Sequence, residues 1–151
     1  MARSDARCAA MQLIFERLSG GEGDEDSLQM IYNEFRDEAK PTVSEGDPGV
    51  GDRAFILRMM EGVLERLDEI DDRINAHSHR WSTERMPRVD LTILRVAVWE
   101  MLYEKDPEIP VSVVIDEALE MARTFSEPES TRFINGVLGA IWRDQEAAHA
   151  E

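Results

Sequence analysis

The sequence predicts an all-α fold, a compact bundle of six or seven helices. Three observations lead there. Apolar residues recur three and four positions apart in segment after segment, the period of one helix face. No stretch alternates apolar and polar residues between turn signals, so no sheet is expected. The stretch from Val89 to Glu104 holds eleven apolar residues and no Gly or Pro. A helix apolar nearly all round is covered by neighbours on most sides, so this stretch is the expected central helix and the others surround it. Its charges, Asp90, Arg95, Glu100 and Glu104, must share a narrow exposed strip or find partners.

The first helix runs over residues 5–18, with Ser4 as a suitable N-cap. Ala6, Ala10, Leu13 and Ile14 form its stripe, and Ser19-Gly20-Gly21 ends it. Acids from Glu22 to Asp26 lead to a second helix capped by Asp26 or Ser27. Leu28, Ile31, Tyr32 and Phe35 give that helix its buried face. Pro41 stops it, and residues 41–51, with two Pro and three Gly, form a loop. The third helix opens at Asp52 and runs to about Ala76. In it Ile56, Met60, Val63, Leu67, Ile70 and Ile74 alternate four and three apart, a heptad seam. Such a seam serves a coiled-coil dimer or, more simply, an intramolecular bundle. Gly62 inside this helix costs roughly 1 kcal/mol against Ala. Close approach of another helix explains such a glycine.

Residues Trp81 to Pro87 form a short turn capped by Ser82, and Pro87 leads into the central helix. Pro107 and Pro110 bracket an acidic link. Ser112 caps a helix buried through Val114, Ala118, Met121, Ala122 and Phe125. Ser126 to Glu129 make a turn, and Ser130 caps the last helix, whose apolar face is Ile134, Val137, Leu138 and Ile141. Residues after Arg143 are polar and expected to fray.

A chain of 151 residues suits one domain with a real core. No apolar run approaches the roughly 18 residues that span a bilayer, and the N-terminus lacks a signal-peptide core. The single cysteine, Cys8, excludes an internal disulfide and suits a reducing compartment. A cytoplasmic protein without membrane contact is expected. The net charge of −15 argues against nucleic acid, because phosphate binding needs Lys or Arg to displace counterions. The charge is uneven, however. Residues 21–52 carry ten acids against Arg36 and Lys40. Residues 1–20, with Arg3, Arg7 and Arg17, are net positive, and so are residues 80–95, with Arg80, Arg85, Arg88 and Arg95.

No catalytic constellation stands out. His77 and His79 lie two apart, which points them in different directions on a helix, and no metal-ligand spacing accompanies them. Asp116, Glu117 and Glu120 lack the repeated Glu-x-x-His of diiron bundles. Cys8 reads as a small buried thiol. No cofactor or metal is expected, and a binding module is the better reading than an enzyme. One oddity remains near the start of the last helix, Phe133-Ile134-Asn135-Gly136. Asn-Gly disfavours helix. Either another helix approaches closely there, or Gly136 clears space while Phe133 and Asn135 serve a surface. An aromatic ring and an amide beside basic residues can stack on and hydrogen-bond an unpaired base.

Taken together, the motifs resemble the NusB family of transcription antitermination factors. The likeness runs through Glu69-Ile70-Asp71 and Ile74, then Trp81-Ser82-x-Glu84-Arg85-Met86. It continues in Val89-Asp90-x-x-Ile93-Leu94-Arg95-x-Ala97-x-Trp99-Glu100 and Ile109-Pro110-Val111. Further on come Ile115-Asp116-Glu117-Ala118, Ala122-Arg123-x-Phe125 and Ser130-x-x-Phe133-Ile134-Asn135-Gly136-Val137-Leu138. Ala6-Arg7-x-x-Ala10-x-Gln12-x-x-Phe15 is a looser match. Their order and spacing are specific even though each piece alone is weak.

The resemblance implies a single domain over 1–151, built of two packed helical subdomains at about 1–80 and 81–146. It implies binding of boxA-type single-stranded RNA together with the ribosomal protein NusE. The pair joins RNA polymerase and other Nus factors to keep transcription of ribosomal RNA operons processive. By the same resemblance Arg3, Arg7, Phe15, Glu129, Arg132, Phe133 and Asn135 face RNA, and Glu84, Arg85 and Asp90 face NusE. Departures from the family pattern are a sparse arginine arm interrupted by Asp5, Phe15 where Tyr is usual, Asp116 where Asn is usual, and Trp99 where Tyr is common. Fewer phosphate contacts imply weaker RNA affinity for the chain alone and a shallower salt slope. The alternative is a protein–protein scaffold of the same fold that has lost RNA contact. Monomer and homodimer both remain open at this stage.

Overall fold

In a computed structural model of the chain, the described residues are 3–24, 26–30, 50–104 and 106–149. All the regular structure among them is helical. Helix α1 spans Arg3–Leu18, residues 26–30 form a short helical piece, and α2 spans Val50–Glu65. Then follow α3 (Leu67–His77), α4 (Arg88–Trp99) with a π-helical turn (Glu100–Glu104), α5 (Val111–Phe125) and α6 (Ser130–His149). Ile31, Tyr32, Phe35 and residues 41–49 of the loop expected at 41–51 lie outside the described residues, and its last two residues, Val50 and Gly51, already belong to α2. Chain contacts divide the protein into two compact units, Met1–Glu61 and Gly62–Glu151.

In the first unit, α1 buries Ala6, Ala9, Ala10, Met11, Leu13 and Ile14. The helix begins at Arg3, so Ser4 lies within it rather than capping it. At its other end Gly21 N–H donates to the Glu16 carbonyl at 2.9 Å across Gly20, whose φ is +98°. That is the bond of a Schellman closure, and it needs the left-handed backbone that glycine adopts without strain. The next helical piece is capped by Asp24, not by Asp26 or Ser27. Ser27 N–H donates to the Asp24 carboxylate at 3.0 Å. The same backbone bond holds the Asp24 carboxyl below its ordinary pKa. Leu28, Phe55, Ile56, Met59 and Met60 are also buried among the described residues of this unit.

The second unit is organised by α4. Leu91, Ile93, Leu94, Val96, Ala97, Val98 and Trp99 are all buried, as are Met101 and Leu102 beyond it. Its neighbours in contact are α3, α5 and α6. Each fully buried Leu or Ile contributes roughly 1.5–3 kcal/mol by leaving water, so most of this helix is held by burial alone. Its polar groups all have partners. Thr92 donates its hydroxyl to the Arg88 carbonyl at 2.8 Å. Arg95 grips Asp71 of α3 with two parallel bonds of 2.8 and 2.7 Å, the bidentate geometry that adds direction to charge.

The helix predicted over 52–76 is two helices. Arg66 leaves α-helical geometry with φ −114° and ψ 23°, though Ile70 N–H still reaches its carbonyl at 2.9 Å. The heptad seam survives the break. Ile56, Met60, Val63, Ile70 and Ile74 are buried within the chain and Leu67 is half-buried. A seam already covered is not a free dimer strip. Gly62 is explained by Trp99, since a Cβ at Gly62 would fall inside the indole ring. The close approach expected at that glycine is therefore present.

The α5 and α6 faces follow the sequence pattern. Val114, Ala118, Met121 and Ala122 are buried on α5 with Phe125 half-buried, and Ile134, Val137, Leu138 and Ile141 are buried on α6. The caps do not follow it. Pro110 holds the N-cap of α5, so Ser112 sits inside the helix. Ser130 is the first helical residue of α6, and its hydroxyl turns to Asp90 instead of capping. Nor does α6 fray at Arg143. Arg73 donates to Gln145 at 3.2 Å, and His77 lies 3.5 Å from the Asp144 carboxylate, so α3 anchors the last turns.

Replacing Gly62 by Ala is expected to destabilise the protein by about 1–3 kcal/mol, because the rigid indole has to move. A urea melt showing stability equal to the parent would contradict the Gly62–Trp99 packing.

Candidate nucleic-acid interface

The turn between α5 and α6 is fixed from beneath. Asp90, fully enclosed in the first turn of α4, accepts from both Ser126 and Ser130, the latter at 2.7 Å. Two hydroxyls and the start of α4 surround the carboxylate with donors, which offsets the cost of burying it. The start of α6 is thereby pinned to the central helix.

What α6 then presents is mostly open to solvent. Glu129, Arg132, Asn135 and Gly136 are exposed, and Phe133 is half-buried. The Phe133 ring meets Trp81 edge-on, with centroids 5.1 Å apart and planes at 74°. Such a pair adds roughly 0.5–1.5 kcal/mol beyond its buried area. The Arg80 guanidinium lies 4.3 Å from the Trp81 ring centre. Arg80, Trp81 and Phe133 therefore form one cation–aromatic row.

The loop carrying Trp81 is held by short bonds. Ser78 donates its hydroxyl to the Trp81 carbonyl at 2.6 Å. Thr83 N–H donates to Asn75 of α3 at 2.8 Å. Arg88 clamps the same loop by donating to the Met86 and Thr83 carbonyls. Arg88 and Arg95 thus both serve the fold. Of the four arginines in the positive stretch, Arg80, Arg85 and Arg88 are exposed, but Arg88 is already engaged by the loop carbonyls. Sequence pattern identified Phe133 and Asn135 but passed over Arg80 and Trp81, whose proximity to α6 is a tertiary fact.

Gly136 carries a second signal. A Cβ added there would meet nothing within 4 Å. Helix packing therefore does not require this glycine, and the close-contact explanation fails. The space above Gly136, one turn beyond Arg132 and Phe133, is open to a ligand.

The remaining expected residues divide. Arg3 is exposed at the start of α1, its guanidinium 4.1 Å from the Phe55 ring centre. Phe15 is half-buried in the last turn. Twelve residues separate them, about 18 Å of helix rise, so they do not form one cluster within α1. Arg7, expected to meet RNA, is only 3% exposed and lies beside Phe55. Glu84 and Arg85 are exposed on the hydrogen-bonded turn closed by Arg85 N–H to the Ser82 carbonyl at 3.0 Å. Asp90, expected to face NusE, has 0% exposure and holds the α5–α6 turn through Ser126 and Ser130. Among the described residues no group of three or more His, Cys, Asp or Glu side chains could hold a metal, and no helix is long and apolar enough to cross a membrane.

Fold and row together define a helical binding module. Comparison with known proteins is specific. The NusB family matches residues 4–143. A transcription antitermination protein NusB from Solibacter usitatus (strain Ellin6076) is 40% identical over 149 residues, covering 99% of this chain and 94% of the relative. The NusB protein of Geobacter sp. (strain M21) is 37% identical over 139 residues, 92% of each chain. The solved structure of T. maritima NusB superposes with a TM-score of 0.74 at 31% identity, covering 93% of this chain and 90% of that one. A chain in the crystal structure of antitermination factors NusB and NusE with double-stranded RNA shares the fold, with a TM-score of 0.74 at 20% identity and 94% and 96% coverage. The chain belongs to the NusB family of transcription antitermination factors, and is not an enzyme.

Two substitutions test this geometry. Gly136→Ala is expected to raise stability by about 0.5–1 kcal/mol, the helix-propensity gain where nothing obstructs a methyl; a lower melting temperature would show an unseen contact. Asp90→Ala is expected to cost about 2 kcal/mol by leaving two hydroxyls without their acceptor. Amide exchange at the start of α6 should rise with it.

Proposed function

We propose that this protein binds boxA-type single-stranded RNA jointly with the ribosomal protein NusE. In this role it works with other Nus factors on RNA polymerase to keep transcription of ribosomal RNA operons processive. The observation that supports this best is the Arg80–Trp81–Phe133 row, an exposed guanidinium on two half-buried rings, with Arg132, Asn135 and the open Gly136 beside it. Stacking on aromatic faces and hydrogen bonds to base edges are how unpaired bases are recognised. Arg3 and Phe15 supply a further cation and ring on the other unit. Glu84 and Arg85 are proposed to meet NusE, a basic partner that a chain of net charge −15 attracts electrostatically. Joint binding also offsets the weak phosphate contact of this chain by making the second contact intramolecular.

The burial of Arg7 favours a second reading, a scaffold of the same fold that holds NusE without RNA. Binding assays with a boxA-like RNA and a scrambled control, with and without NusE, at two salt concentrations, separate them. Phe133→Ala and Trp81→Ala are each expected to weaken RNA binding by about 1–3 kcal/mol, the worth of one stacked base. Arg3→Ala should shrink the salt slope by at most about one unit. Equal affinity for the scrambled RNA in the presence of NusE would sink the RNA reading. If Phe133→Ala left RNA binding unchanged while Arg85→Glu abolished NusE binding, the scaffold reading would stand.

A further inference from the structure

A cleft in the second unit is not used by the row at the start of α6. It has a volume of ≈ 290 Å³, and its lining includes Met101, Val111, Val114 and Trp142. Asp106 and Glu100 add carboxylates, and among the described residues no Lys or Arg lines it. The cleft arises because the core stops short. Ile141 is the last buried residue of α6, yet the stripe continues past it through Trp142, Gln145 and His149, all on the cleft. On the opposite side the π-helical turn displaces Glu100 and Met101 from α-helical register. Wide turns of this kind recur where proteins bind ligands.

We propose that this cleft receives the side chain of an arginine from a basic partner protein. The volume sits at the lower edge of small-molecule sites, roughly 300 Å³, and suits one long side chain better than a cofactor. Met101, Val111 and Val114 offer an apolar path to a methylene stem, and methionine adapts to irregular shapes. The indole of Trp142 offers a face to a guanidinium. The Asp106 carboxylate is oriented by the Glu108 N–H, which donates to it at 2.9 Å, and stands exposed at the rim. Gln145 is already engaged by Arg73 and His149, so the rim charge comes from the acids. The chain's net charge of −15 draws a basic partner toward the molecule as a whole. This inference stands on residues separate from the RNA reading and does not depend on it.

The test uses the full chain labelled with ¹⁵N, following the three indole N–H signals, with Trp142→Phe assigning the relevant one. The probes are acetyl-Gly-Arg-Gly-amide, its citrulline counterpart and spermidine. The arginine peptide should shift the Trp142 signal saturably and leave Trp99 unmoved. The neutral citrulline peptide should bind at least about fivefold more weakly, since charge-assisted contacts are roughly twice as strong as neutral ones. Asp106→Asn, which keeps the acceptor for Glu108 but removes the charge, should weaken the arginine peptide about threefold or more. Trp142→Ala, tested by competition, should abolish it. Equal binding of the two peptides, or parallel unsaturable shifts of Trp81 and Trp142, would overturn the proposal. Spermidine binding tenfold or more above the arginine peptide would assign the cleft to a free amine and overturn it equally.

Discussion

Every polar group on α4 must be satisfied inside the protein, because that helix is covered on nearly all sides. This constraint decides much of the second unit. Asp90 takes the hydroxyls of Ser126 and Ser130, Thr92 takes the Arg88 carbonyl, and Arg95 takes Asp71. The Thr92 bond stays within α4, but those of Asp90 and Arg95 end on other elements, so the demands of one buried helix fix the places of α3 and the α5–α6 turn. Removing one partner from such a set is costly, since the other is left without water or protein to replace it.

The same constraint shapes the candidate interface. Arg88 and Arg95 belong to a stretch that is positive in sequence, but both are engaged in the fold. Arg7 is enclosed in the same way in the first unit. The interface therefore relies less on net charge than on rings and amides. Trp81 is offered by a loop clamped from three sides, and Phe133 by a helix start anchored through Asp90. A surface held this firmly is ordered before its ligand arrives, which lowers the entropy lost on binding.

Much of the architecture was legible in the sequence because burial leaves a periodic trace. The stripes of α5 and α6, the seam through α2 and α3, and the demand of Gly62 for a close neighbour all appear as spacing. Caps were not legible. Ser4, Ser112 and Ser130 have the chemistry of caps, yet two lie within helices and the third answers a buried carboxylate. The break at Arg66 and the π-helical turn leave no apolar signal, since the residues on either side keep their faces. In the interface, Phe133 and Asn135 stood out because Asn-Gly offends helix propensity. Trp81 did not, because its value lies in reaching a ring 52 residues away, and Arg80 joins the row only through Trp81. Asp90 and Arg7, which the resemblance turns toward NusE and RNA, are both buried, because family motifs show which residues recur but not which way they face.

The wide turn at Glu100–Glu104 has a consequence for how this chain tolerates change in length. It accommodates one residue more than ordinary winding requires, at the end of the most constrained helix in the protein. Slack of that kind lets a single-residue deletion be absorbed by tightening the coil, while Leu94 to Trp99 keep their seats. What such a deletion would shift is the segment after it, the mouth of the cleft, rather than the body that carries the Arg80–Trp81–Phe133 row.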